Sequence, residues 1–393
     1  MYVKTKLEDI LELHRGYDLP ECERAEGNIP IISSSGYSGV HNDFKCDGEN
    51  VITGRYGTIG EVFYHKGKCW PLNTALYVSD FKGNNAKYIY YLLKCFLKKS
   101  ADGKDKSTVP GVDRNVLHQM KVPFCKNIPT QKQIIKALET VDRKIELNKQ
   151  INDNLAAMIK TIYEYWFVQF EFPDENGMPY KSSGGKMVWN EQLKKEIPIG
   201  WKSTKLSDLF QLKSGYSFSS QSFEGDGKYK ILTISNVQDY GISLNSTNYL
   251  SNIPENMPSY CLLKEKDILM SLTGNVARVG IMFAHNCLLN QRVALAEPLN
   301  KTLNTYIYCL LKSDGIRKRY EAIANGSSQQ NLSPIEATNI SIAYEPEIST
   351  AFSKLCSEYL DAIVLNLKEN EELNSLRDWL LPMLMNGQAT IED

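Results

Sequence analysis

Strides of four and three from Ile134 meet Leu138, Val141, Ile145, Asn148, Asn152, Leu155, Ile159, Ile162 and Trp166. This seven-residue repeat predicts one long amphipathic helix, from about Thr130 to Phe167, with amides in the middle of its apolar stripe. Pro129 suits its start, and Pro173 with Gly177 suits its stop. An amide on a packed seam costs stability unless it meets a hydrogen-bond partner. Asn148 and Asn152 therefore either face water or are met by something.

The chain is written twice. Lys6–Tyr17, KLEDILELHRGY, recurs as KLSDLFQLKSGY at Lys205–Tyr216. VITGRYGTIG at Val51 is similar to ILMSLTGNVARVG at Ile268, and YIYYLLK at Tyr88 matches YIYCLLK at Tyr306. Asn73 and Asn290 each follow a loop glycine, Gly57 and Gly274, at the same spacing. STVPGV at Ser107 aligns with SSQQNL at Ser327, each followed by a short alternating strand, MKVPF or ISIAY. The offset grows from 199 to 218–220, so the second copy carries about twenty extra residues between Phe218 and Leu263. An internal repeat of this length governs the fold.

At an offset of 218 the helix stripe maps onto Phe352, Cys356, Tyr359, Ile363, Asn366, Asn370, Leu373, Arg377, Leu380 and Leu384. Both asparagines recur. Two copies in one chain pack most simply about a pseudo-two-fold axis, and antiparallel helices on that axis meet at their midpoints, near Lys149. Asn148, Asn152, Asn366 and Asn370 are then expected to pair and to set the register of the helix pair.

Short apolar runs at Pro30–Ser33, Val51–Thr53 and Ala75–Val78 predict strands, with a helix over Lys87–Lys98. The second copy repeats them at Lys230–Ile234, Asp267–Leu272 and Thr305–Lys312. The expected class is α+β: two pseudo-symmetric α/β globules joined by two long antiparallel coiled-coil helices. The expected segments are globules at 1–128 and 201–346, helical spacers at 129–170 and 347–388, a Gly/Pro/Ser-rich linker with anchoring aromatics at 171–200, and a tail at 389–393.

Composition narrows the class. A chain of 393 residues, 42% hydrophobic and 23% charged, is folded material of two or three domains. No run approaches 18 apolar residues, and MYVKTKLEDILEL lacks the core of a signal peptide, so a cytoplasmic protein is expected. Nine scattered cysteines with no C-x-x-C pair, and five histidines without ligand spacing, argue for reduced thiols and against a metal. The net charge of −1 conceals two mildly basic blocks and an acidic tail. Residues 1–128 hold 18 Lys+Arg against 15 Asp+Glu, residues 201–345 hold 14 against 12, and residues 346–393 hold 3 against 9.

Catalytic motifs are missing: no phosphate-binding G-x-x-x-x-G-K-[ST], no H-E-x-x-H, no G-x-S-x-G and no N/D-P-P-Y/F. D-x-K tripeptides at Asp102–Lys104, Asp142–Lys144 and Asp226–Lys228 leave a nuclease as an alternative. A protein-only scaffold is a third. What the loops offer is binding chemistry. KKSADGKDKSTVPGVDR supplies Lys104, Lys106, Thr108 and Arg114, and the matching stretch of the second copy supplies Arg317, Lys318, Arg319, Gln329, Gln330 and Asn331. Arg55 and Tyr56 in one glycine turn, and Asn275 and Arg278 in its counterpart, complete the set. Lysine and arginine neutralise phosphates, while Gln, Asn and Arg carry the paired groups that read purine edges. Different polar residues on equivalent loops suit a reader of two different DNA half-sites. No catalytic or metal-ligating residue is expected.

With that order in hand, the chain resembles the specificity (S) subunits of Type I restriction-modification enzymes along nearly its whole length. The features that carry the resemblance are IIKALETVDRKIELNKQINDNLAAMIKTIYEYWF, the following FEFPDENGMPYKSSGGKMVWNEQLKKEIPIGW, and LRDWLLPMLMNGQA near the end. The resemblance implies a non-catalytic, DNA-recognising subunit with two target-recognition domains on a split double-stranded site. It implies two modification (methyltransferase) subunits docked on the helices, restriction subunits in the full complex, and no membrane. S-adenosylmethionine, ATP and Mg²⁺ would belong to those partners and no cofactor to this chain. A helix of about 37 residues is about 55 Å long, enough to set apart half-sites separated by about one turn of DNA, roughly 34–36 Å. The helix pair is thus expected to act as a ruler.

Overall fold

The computed structural model describes residues 2–55, 60–102 (side chains to 97), 113–239, 241–245, 248–326 and 330–391. The chain divides into two compact units, Met1–Ile145 with Glu372–Asp393, and Glu146–Glu371.

The first unit contains strands β1 (Tyr2–Lys6), β2 (Glu12–Arg15), β3 (Ile29–Ser33), β4 (Gly36–His41), β5 (Glu49–Gly54), β6 (Val62–Lys66), β7 (Trp70–Pro71), β8 (Ala75–Asp80) and β9 (Lys121–Cys125). Its helices are α1 (Ala86–Asp102), α2 (Arg114–Gln119) and the first half of α3 (Ile128–Tyr163). Three sheets form: β2-β8-β5-β6, β4-β3-β7 and β1-β9. All neighbours are antiparallel except β3 and β7.

The second unit continues α3 and adds the hairpin β10 (Met187–Asn190) and β11 (Lys195–Pro198), then β12 (Lys202–Lys205), β13 (Phe210–Ser214), β14 (Tyr229–Leu232), β15 (Val237–Gln238), β16 (Gly241–Ile242) and β17 (Tyr249–Leu250). There follow β18 (Ile268–Ser271), β19 (Val279–Ile281), β20 (Cys287–Leu289), β21 (Val293–Pro298), helices α4 (Asn304–Lys312), α5 (Asp314–Ile323) and α6 (Pro334–Thr338), strand β22 (Ser341–Tyr344) and α7 (Pro346–Met385), whose residues from Glu372 on belong to the first unit. Its sheets β13-β21-β18-β19, β17-β14-β20 and β12-β22 reproduce those of the first unit strand for strand, including the one parallel pair, β14 with β20. The hairpin β15-β16 is an addition and lies in the stretch of extra residues.

Shared residues explain the shared frame. A Cβ on Gly16 would stand 2.1 Å from Leu72 O, and one on Gly215 would stand 2.4 Å from Asn290 O. Only glycine permits that approach. The tyrosine that follows bonds across in both copies, Tyr17 N to Pro71 O at 2.8 Å and Tyr216 N to Leu289 O at 2.9 Å. β5 is buried from Asn50 to Gly54 and β18 from Ile268 to Ser271, so both faces of each strand are covered. Each unit has its own core. Leu7, Leu11, Tyr88, Ile134 and Leu138 pack with Leu381 and Leu384 in the first, and Leu206, Phe210, Tyr306, Phe352 and Cys356 pack with Tyr163 in the second.

Several boundaries shift from the sequence expectation. Asn290 occupies the place of Leu72, not of Asn73: the parallel bridges are Tyr17 with Leu72 and Tyr216 with Asn290. The slip arises because the link from β19 to β20 is one residue longer than that from β6 to β7. The strand expected over Lys230–Ile234 ends at Leu232, and Ile234–Asn236 is a 3-10 turn. The segment 171–200 is more structured than a linker: besides the β10-β11 hairpin, Phe172 stacks on both Tyr180 and Trp201, with centroids 4.7 and 5.3 Å apart.

The long helices begin at equivalent caps. Asn127 Oδ1 accepts from Thr130 N at 3.0 Å, and Glu345 Oε2 accepts from Ile348 N at 2.8 Å. α3 leaves α-geometry at Tyr163, before Phe167, and closes with a π-turn over Glu164–Val168. α7 ends at Met385, where Gly387 takes φ +70°. Between the caps, Asn148 Nδ2 donates to Asn370 Oδ1 at 3.0 Å, and Asn366 Nδ2 donates to Asn152 Oδ1 at 2.9 Å. The two bonds are mates under the offset of 218, which makes α3 and α7 antiparallel at this point of the second unit. Asn148 Nδ2 also donates to Glu369 Oε2 at 2.7 Å, and Asn152 Nδ2 donates to Ile363 O at 3.3 Å. Asn148 and Asn152 are buried.

Candidate functional site

The loop between β18 and β19 is held by its own backbone. Ser271 Oγ donates to Asn275 O at 2.6 Å and accepts from Arg278 N at 3.0 Å. Gly274 (φ +75°) and Ala277 (φ +60°) take left-handed conformations that tighten the turn. A second loop is stitched onto it. Gly274 N donates to Gln330 O at 2.9 Å, Thr273 Oγ1 donates to Asn331 Oδ1 at 2.8 Å, and Asn331 exchanges backbone bonds with Asn325. Two of the sequence-predicted groups, Asn275 with Arg278 and Gln330 with Asn331, thus share one rim of the second unit, with Asn275, Gln330 and Asn331 exposed.

The hairpin β15-β16 closes on the same rim. Gly280 allows it: a Cβ there would lie 2.5 Å from Ile242 Cδ1. Asp239, just after β15, carries one oxygen 3.1 Å from Arg278 Nη2 and the other 3.0 Å from Arg317 Nη1. Arg278 Nη1 donates to Gln238 Oε1 at 3.2 Å, and with the Asn275 amide turned so that its oxygen faces the guanidinium, that oxygen accepts from both Nη atoms at 3.2–3.3 Å. Arg317 Nε donates to Glu321 Oε1 at 3.0 Å; that bond first, and Asp239 second, raise the pKa of its guanidinium. The result is a single polar chain, Asn331–Thr273 to Asn275–Arg278–Asp239–Arg317–Glu321. The Nη atoms of Arg278 are occupied within the protein, so its first task is to tie hairpin to loop.

The other expected residues fall elsewhere. Arg319 Nη1 donates to Ser341 O at 2.8 Å, and Lys318 is exposed on α5. In the first unit, Arg55 follows β5 with its N–H on Thr74 O at 2.9 Å. Arg114 opens α2 beside its cap, where Asp113 Oδ1 accepts from Asn115 N. Tyr56, Lys104, Lys106, Thr108 and Gln329 lie outside the described residues. Of the D-x-K carboxylates, Asp142 accepts from Tyr91 and pairs with Arg377, and Asp226 accepts from Gly227 N. Asp239 and Gln238 went unread in the sequence because they lie in the extra stretch, where the repeat offers no counterpart. The only local signal was the turn-forming Asp239-Tyr240-Gly241. Among the described residues, no group of three or more His, Cys, Asp or Glu is placed to hold a metal ion, and no helix is long and apolar enough to cross a membrane.

Comparison with known proteins places this geometry. The model of the Type I restriction modification DNA specificity domain matches residues 2–157 and again 198–375. The Type I restriction enzyme MjaIX specificity subunit of Methanocaldococcus jannaschii is 26% identical over 318 residues, 78% of this chain and 70% of that protein. The MjaVIII specificity subunit of the same organism is 26% identical over 398 residues, 94% of this chain and 88% of its own. In fold, the chain is similar to a Type-I restriction-modification S subunit from M. genitalium, with a TM-score of 0.57 at 18% identity, covering 98% of this chain and 96% of that one. The two matches fall on the two copies of the repeat, and together they cover most of the sequence. The chain belongs to the Type I restriction-modification specificity-subunit family and carries that family's DNA specificity domain twice.

Proposed function

We propose that the chain reads a two-part site on double-stranded DNA, one half-site per repeat, and docks modification subunits, likewise two per chain, with restriction subunits joining through them. The observation that carries this reading is the pair of matched DNA specificity domains, built on one strand order but with different polar residues on equivalent loops. The recognition domains are 1–128 and 201–346, joined by helical spacers at 129–170 and 347–388. Arg317, Lys318, Gln330 and Asn331 in the second domain, and Arg55 and Arg114 in the first, are the contacts proposed for phosphates and base edges. Methyl transfer from S-adenosylmethionine and Mg²⁺- and ATP-dependent cleavage are assigned to the partners.

The asparagine pairs at the centre of α3 and α7 supply the register of the ruler. An unpaired amide in a buried seam penalises any slipped alignment. Mapping methylated adenines in host DNA with and without this chain tests the reading. A single split motif that appears only with the chain is expected, and a pattern independent of it would refute the proposal. In the assembled complex, sequence-preferring binding should weaken steeply with salt. Removing whole heptads from both helices should shorten the spacer between the methylated half-sites.

A further inference from the structure

The second unit holds a cavity of about 300 Å³ beside α3, α4 and α5. Ile159, Tyr163, Cys309 and Ile363 form its apolar floor, and Ala156 and Ala157 stand at its mouth. The repeat shows why the space exists. Under the offset of 218, Cys309 replaces Tyr91 of the first unit and Ile159 replaces Arg377. A contact retained in both copies fixes this correspondence: Lys94 Nζ donates to Tyr90 OH at 3.0 Å, and Lys312 Nζ donates to Tyr308 OH at 3.4 Å. In the first unit the phenol of Tyr91 and the guanidinium of Arg377 fill the position and meet at Asp142. In the second unit both large planar groups are missing.

The rim is polar without a strong net charge. Lys160 is ion-paired with Asp314 at 3.2 Å and Glu164 at 3.6 Å, Arg317 with Asp239 at 3.0 Å, and Lys312 lies over the Tyr308 ring. The volume falls in the range of small-molecule sites, which join an apolar lining to a few placed polar groups. We propose that this cavity is a binding site for a small, neutral, planar aromatic molecule with one hydrogen-bonding tip, the chemistry that Tyr91 supplies to the equivalent place in the first unit. The ring lies on Ile159, Cys309 and Ile363, and because the apolar Leu360 replaces Asp142, the acceptor of the Tyr91 hydroxyl, the tip turns instead to the rim near Asp239 and Arg317. The Cys309 thiol, whose pKa burial pushes up, stays protonated and adds no charge.

The test uses the whole chain and p-cresol, followed by ligand-observed NMR and by thermal unfolding. Saturable binding with a Kd of about 1 mM is expected for a ligand of this size. At ten times that concentration, Tm should rise by about 3 °C. Cys309→Tyr, which restores the side chain of the first unit, should weaken binding at least tenfold. Ala156→Phe closes the mouth from an exposed helix position where folding is not at risk, and should do the same. Absence of a saturable signal with the unmodified chain, or equal binding by Ala156→Phe, would overturn the proposal.

Discussion

Where α1 packs beside α3 and α7 in the first unit, Asp142 accepts from Tyr91 at 2.6 Å and is ion-paired with Arg377 at 3.1 Å. Where α4 packs beside α7 and α3 in the second, the equivalent residues are Leu360, Cys309 and Ile159, all buried in one apolar cluster. One frame therefore supports two chemistries at one contact. A half-buried polar knot of this kind depends on its partners, because each group removed leaves hydrogen-bonding groups poorly matched, whereas an apolar set needs only volume. The second unit meets the polarity rule by having no charge at those positions, and the volume rule only in part, since a cavity remains. The same division runs through the repeats: glycines, tyrosines and strand order are held in common, while side chains at helix contacts and loop rims diverge.

The comparison breaks most easily at Asp142. Asp142→Leu alone leaves the part-buried Arg377 with Asp378 as its remaining partner and Tyr91 without its acceptor, and should cost the first unit about 1.5–3 kcal/mol in urea unfolding. Borrowing the whole set from the second unit (Tyr91→Cys, Asp142→Leu, Arg377→Ile) should recover most of that loss. A single variant as stable as the parent would show that the polar knot carries no weight.

The shared frame makes a matched prediction of intermediate size. Gly16→Ala and Gly215→Ala each push a Cβ into a carbonyl and should each cost about 1–3 kcal/mol. Unequal losses would mean that the two turns are not equivalent. A smaller effect separates the loops. Asp239→Ala frees Arg278 and Arg317, and because Asp239 is half-exposed it should cost under about 1 kcal/mol. On the proposed reading it alters methylation at one half-site alone, and a change at both would count against separate readers.

Smallest in stability is the change at the helix centre. Replacing Asn148, Asn152, Asn366 and Asn370 together with Leu removes both amide pairs at once and takes one bond each from Glu369 and the Ile363 carbonyl, so stability should change little. Register should loosen, seen as a broadened distance distribution between spin labels on α3 and α7 within the second unit. A distribution as narrow as the parent's would remove the asparagines from the account of register.

The parts legible in the sequence are those written twice. A heptad stripe, two glycine-tyrosine turns and two copies of Y-I-Y-x-L-L-K are local patterns, and local geometry follows from them. The one-residue slip at Asn290 was hidden because it depends on the length of a link between strands, which no side-chain pattern records. The β10-β11 hairpin was obscured by the glycines and prolines around it. The Arg278–Asp239–Arg317 chain joins three segments far apart in the sequence, one of them in a stretch without a counterpart. It could be found only once β15-β16 was seen against β19.

The most direct test of two separate readers is a chain made symmetric. A copy of residues 1–128 in place of 201–346, assembled with its methyltransferase partners, presents the same surface twice. The account predicts that adenine methylation then falls on a palindrome of one parental half-site, with the spacer still set by the helices. Methylation that kept both parental half-sites would contradict it.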